Sequence, residues 1–147
     1  MERALVVAED SEVGRQLLKE AATLAAGIDA ELVVLQVLDE KRYDGSLERK
    51  VQSGNSNQID SIDDITEELR LTADALASDI VDGVSYQSIG RVGKLPDIII
   101  DTAVNMDCDH IFIVGERRSP TGKVVFGDNA QSVILQFDGP VTTLIDN

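Results

Sequence analysis

Only one cysteine, Cys108, occurs in 147 residues. A lone cysteine forms neither an internal disulfide nor a Cys-based metal site, which suits a reducing cytoplasm. Aromatic residues amount to 3%, with no tryptophan, so a core has to be built from Val, Ile, Leu and Ala. Basic residues are few as well: 13 Lys and Arg stand against 27 Asp and Glu, a net charge of −14. A surface of that sign repels nucleic acid and anionic membranes. No apolar run approaches the ~20 residues of a membrane span. The apolar stretch at the N-terminus stops at Glu9 and Asp10, so no signal peptide is visible.

What remains is an ordinary globular composition, 43% hydrophobic, at a length that suits one domain over 1–147. The acidic residues are spread along the chain. That distribution fits a halophilic protein, whose self-repulsion high salt screens, or an ordinary acidic cytoplasmic one.

Short apolar runs alternate with amphipathic stretches. Arg3–Ala8 reads as a strand buried on both faces, followed by Asp10 or Ser11 as a helix cap. Val13, Leu17, Ala21, Leu24 and Ile28 mark a helix at three- and four-residue steps. Glu31–Leu38 is a second strand, and a β-α-β opening of this kind implies parallel pairing. The polar stretch from about 40 to 58 breaks the pattern and reads as a mobile flap or as simple disorder. Ile62, Ile65, Leu69, Ala73, Leu76 and Ile80 predict a second helix over 61–80. Val84–Ile89 reads as a polar edge strand, and Gly90–Pro96 as the connection to a helix carrying Ile99, Thr102, Ala103 and Met106. Asp109–Val114 is strand four, 130–137 a last helix, and Val141–Ile145 a last strand. Five strands alternating with four helices predict an α/β fold: a single doubly wound, Rossmann-like open parallel sheet with helices on both faces.

The segment between strand four and the last helix carries the clearest chemistry. It contains Gly115, Gly122 and Gly127, and it ends at a helix start, Asp128–Asn129. Glycine lets backbone approach a phosphate, and the free N–H groups of a helix start favour an anion. Arg117, Arg118 and Lys123 are the densest basic cluster in an acidic chain, and they either meet phosphate or neutralise nearby acids. A P-loop is excluded, because it needs four residues between its glycines and Ser or Thr after the lysine. Here six residues separate Gly115 from Gly122, and Val124 follows Lys123. The dinucleotide fingerprint is absent after strand one.

These residues resemble the universal stress protein family over nearly the whole chain. The matching segments are Leu5–Glu12 (LVVAEDSE), Leu35–Asp39 (LQVLD), Gly93–Pro96 through Ile99, Asp109–Gly115 (DHIFIVG) and Gly139–Val141. With its acidic composition, the chain resembles a haloarchaeal-like member. The resemblance implies strand order 3-2-1-4-5 and an adenine nucleotide, ATP or AMP with or without Mg²⁺, at the carboxyl edge of the sheet. It implies that Ala8, Glu9 and Asp10 lie near ribose or base and that Val37 offers backbone to adenine. Val114 and Gly115 would then begin the phosphate loop. Arg117, Arg118, Gly122, Lys123, Gly127, Asp128 and Asn129 would complete it. It implies a stress-response or signalling role and a homodimer through 141–145. The alternative is a dimeric scaffold or partner-binding protein of the same fold that binds no nucleotide. Two positions depart from the nucleotide-binding pattern: Arg118 stands at the expected second glycine, and Asp128 at the expected hydroxyl residue.

The sole histidine, His110, sits inside a predicted strand and reads as structural. Cys108 has no basic sequence neighbour to lower its pKa and reads as inert. Nothing nominates a nucleophile with its base, so at most slow ATP hydrolysis is expected.

Overall fold

A computed structural model describes residues 1–41, 61–116 and 128–146. The proposed flap at 40–58 falls almost wholly outside them. The elements run β1 (Arg3–Val7), α1 (Glu12–Ile28), β2 (Glu31–Asp39), α2 (Ile62–Ile80), β3 (Tyr86–Gly93), α3 (Asp97–Asn105), β4 (His110–Glu116), α4 (Asp128–Gln136) and β5 (Val141–Asp146). The five strands form one parallel sheet in the order β3-β2-β1-β4-β5, as expected.

Alternation along the strands divides the core in two. Ala4, Val6, Leu32, Val34 and Phe112 pack with α1 and α2 on one face. Leu5, Val33, Leu35, Ile111 and Ile113 pack with α3 and α4 on the other. Being covered on both sides, β1 reads as an unbroken apolar run, with Ala4, Leu5 and Val6 all fully buried.

Helix starts follow local chemistry. The Ser11 hydroxyl caps α1 by accepting the Gly14 N–H at 3.0 Å. Ser61 caps α2 in a reciprocal box with Asp64. Inside α1 the arc that meets the sheet is Leu17, Leu18, Ala21, Ala22 and Ala25. Leu24 and Ile28, expected inside, are 51% and 56% exposed. The apolar face is wider than the sheet contact, and these two lie at its margin. Ile62 of α2 is likewise 51% exposed, because it occupies the first turn, beyond the part of the helix that packs.

β3 is longer than its sequence suggested. Gly90–Gly93 were expected to leave the sheet, yet they pair in register with Gln36–Asp39. Gly90 is needed there for close approach: a Cβ would overlap the Thr66 carbonyl of α2 and stand 2.7 Å from the Arg70 nitrogen. β3 and β5 are the two edges.

His110 and Cys108 have structural surroundings. The His110 ring stacks on Phe112, with centroids 4.6 Å apart, and its Nε2 lies 2.8 Å from the Thr142 hydroxyl on β5. Burial lowers its pKa from the ordinary 6.5. Burial also pushes the Cys108 thiol from 9.0 up to about 11, against a smaller opposing pull from Arg3. Two pH units remove about 99% of the thiolate at any given lower pH, and the thiolate is the reactive form. Alkylation of native Cys108 at pH 8 is therefore expected to run about 100-fold or more slower than for the urea-unfolded chain. Equal rates in a thiol-reagent assay would refute the burial.

Candidate functional site

The strand order reverses direction between β1 and β4, the switch point at which open α/β sheets leave a crevice beyond their carboxyl ends. A cavity of about 410 Å³ lies there. The ends of β1, β2 and β4 form its floor, with Leu95 and Ile99 on one side and Asn129 and Ala130 of α4 on another.

β1 enters the cavity through Ala8 and Glu9. The Ala8 N–H still donates to the Leu35 carbonyl at 2.7 Å, so the chain stays on the sheet to that point. Glu9 is then fixed three ways. Its carbonyl accepts the Ser11 N–H at 3.0 Å. Its Oε2 accepts the Ser11 hydroxyl proton at 2.6 Å. Gly14 lies so close that a Cβ there would overlap the Glu9 carbonyl oxygen. Ser11 thus caps α1 and orients Glu9 with one hydroxyl.

Of the residues nominated from sequence, the cavity brings together Ala8, Glu9, Val37, Val114 and Asn129. Asp10 is not among its lining residues. The Asp10 carboxylate accepts from Arg15 Nε at 3.1 Å, and Arg15 Nη1 donates to Asp79 at 2.9 Å. The three side chains lie along a shallow groove between α1 and α2. Glu9, one residue earlier, is the carboxylate of this turn that lines the cavity. Gly115 is buried within β4, paired with Ile145. Asp128 is the first residue of α4. Arg117, Arg118, Gly122, Lys123 and Gly127 lie outside the described residues.

Sequence reasoning missed several lining residues: Leu95, Ile99, Ile113, Asp39 and Glu116. Asp39 and Glu116 had a readable signal, since each directly ends an apolar strand. Leu95 and Ile99 looked like ordinary helix-core residues. No group of three or more His, Cys, Asp or Glu among the described residues is arranged to hold a metal ion. No helix among them is long and apolar enough to cross a membrane.

A family model described as the universal stress protein family matches residues 1–144. The chain belongs to the universal stress protein family. Solved universal stress proteins share its fold. One from Archaeoglobus fulgidus is 24% identical, with a TM-score of 0.63 over 97% of each chain. Another from Archaeoglobus fulgidus, in complex with dAMP, is 20% identical, with a TM-score of 0.59 over 97% of this chain and 96% of the other. A third, in complex with cAMP, is 13% identical, with a TM-score of 0.60 over 99% of this chain and 98% of the other. No curated protein matches the chain. At these identities the likeness establishes the fold of this universal stress protein, and its ligand has to be argued from its own cavity.

Proposed function

We propose that this universal stress protein is a stress-response or signalling module that binds an adenine nucleotide, ATP or AMP with or without Mg²⁺, in the cleft beyond β1, β2 and β4. The observation that carries the reading is the cavity at the switch point of the sheet, which pairs apolar walls at Ile99 and Ile113 with polar groups at Glu9 and Asn129. Family membership and the solved relatives with dAMP and cAMP support it. In this reading Ala8, Glu9 and Val37 lie at base and ribose, Val114 and Gly115 begin the phosphate loop, and Asn129 belongs to it. Arg117, Arg118, Gly122, Lys123, Gly127 and Asp128 attend the phosphates, and Asp10 acts from outside the cleft through its turn.

Titration calorimetry with AMP and ATP is expected to show saturable binding that Gly127→Val weakens about tenfold or more, because a branched side chain keeps backbone from phosphate. Equal affinity in the two proteins would place the ligand elsewhere.

The same reading includes a cytoplasmic, salt-adapted homodimer joined through β5. The Ile111 N–H donates to the Pro140 carbonyl at 3.1 Å, and Ile111 pairs with Val141. Bonding positions alternate along a parallel ladder, so the N–H groups of Val141, Thr143 and Ile145 point away from β4. A second copy of β5 is the symmetric partner for that edge. With a net charge of −14, association should strengthen with salt. Thr143→Pro deletes an outward donor while sparing the bonds to β4. Light scattering at high salt is expected to give a dimer for the wild type and a monomer for this variant. A wild-type monomer at every concentration would remove the interface.

A further inference from the structure

We infer that the Gln36 carboxamide selects the base in the cleft, pairing with the 6-amino group of adenine and the ring nitrogen beside it; the inference rests on the nucleotide reading of the same cleft. Gln36 lies in the second half of β2 and lines the cavity together with Val37 and Leu38. Its Oε1 is buried and has no hydrogen-bond partner, the one side-chain nitrogen or oxygen in that state among the described residues. Native proteins seldom leave a buried acceptor unpaired, because the group has lost its water without gaining a donor. An orphan of this kind on the wall of a binding cleft calls for a donor from outside the chain.

The neighbouring strands do not supply one. Gln36 stands in register with Gly90 of β3, and on its other side the Leu35 carbonyl accepts the Ala8 N–H. A glycine and an alanine carry no side-chain donor. No hydrogen bond to a described residue holds Nε2 either, and the last torsion of a glutamine is soft, so the carboxamide can turn its oxygen towards an arriving base. A carboxamide presents an acceptor and a donor side by side. Adenine presents the complement: its amino group donates to Oε1, and the adjacent ring nitrogen accepts from Nε2. Guanine sets two acceptors, O6 and N7, on the corresponding edge and would leave Oε1 unpaired.

The test is titration calorimetry of the full chain with AMP and with purine riboside monophosphate, which carries hydrogen in place of the 6-amino group, at a salt concentration where circular dichroism shows a folded protein. The wild type is expected to bind AMP about tenfold more tightly, since the analogue leaves Oε1 unpaired. In Gln36→Leu the AMP affinity is expected to fall and the preference to shrink to about twofold or less. Urea unfolding of the ligand-free variant is expected to show a midpoint no lower than that of the wild type, because leucine removes a polar atom that has no partner. If the wild type binds both compounds equally, or if Gln36→Leu keeps the tenfold preference, the role of Gln36 is overturned and nucleotide binding stands. A ligand-free Gln36→Leu protein clearly less stable than the wild type would also overturn it, by showing that the carboxamide is already satisfied within the chain. If neither compound binds the wild type, the nucleotide reading falls and this inference with it.

Discussion

Gly14→Ala is expected to destabilise the protein by about 2 kcal/mol and to weaken adenine-nucleotide binding, although alanine is the better helix former. In an exposed helix interior the exchange would gain up to about 1 kcal/mol. Here the new Cβ would overlap the Glu9 carbonyl oxygen and stand 2.8 Å from the Glu9 Cβ. The atoms it meets belong to backbone and to the first side-chain carbon, which cannot swing aside. Overpacking of this kind costs about 1–3 kcal/mol and sometimes more, so the steric term outweighs the propensity gain. Relief requires α1 to move away from the β1–α1 turn, and that movement would break the hydrogen bonds that Ser11 makes to Glu9 and Gly14. Urea titration should show a lower midpoint with an unchanged slope, and calorimetry a weaker AMP complex. A variant as stable as the wild type would mean that the turn gives way freely.

Phe112→Ala is expected to have the larger effect on stability alone, about 3–5 kcal/mol. Phe112 is fully buried in β4, one strand in from the β5 edge, between the sheet and α1, and it carries the His110 ring on its face. With aromatics at 3% of the chain, the core around it consists of small aliphatic residues. These are too short to collapse into the space that a phenyl ring leaves. A folded domain has about 5–15 kcal/mol in all, so the variant should melt far below the wild type or fail to fold at low salt. Phe112→Leu, which keeps most of the volume, should lose much less. A loss below about 1 kcal/mol for the alanine variant would contradict the packing.

The parallel direction of the strands was legible because strand and helix patterns alternate cleanly, while their order followed from the resemblance to the family. Element ends were not. Gly90 and Gly93 look like punctuation, yet they belong to β3, and only the position of α2 shows why a residue without a side chain is needed at 90. Leu24, Ile28 and Ile62 satisfy the helical period but lie past the edge of the contact, a matter of how far each helix overlaps the sheet. At the cleft, Glu9 and Asp10 are both acidic residues after a strand, and nothing in their spacing separates them. What separates them is tertiary. The ladder holds the chain through Ala8, Ser11 turns the Glu9 side chain, and Arg15 draws Asp10 towards α2. The expectations for Arg117, Arg118, Gly122, Lys123 and Gly127 concern positions outside the described residues.

The split of the core by the sheet has an evolutionary consequence. Most of the apolar wall of the cavity, formed by Val7, Val37, Leu95, Ile99, Ile113 and Ala130, packs on the face of α3 and α4. The face of α1 and α2 reaches the cavity through little more than the Ala8–Glu9 turn and Val114. Substitutions that accumulate under α2 can therefore be repaired locally without redrawing the shape of the crevice, whereas drift under α3 reshapes it directly. Relatives that share this sheet but differ in what they recognise should diverge fastest beneath α3 and α4, with the opposite layer keeping its small residues as a common foundation.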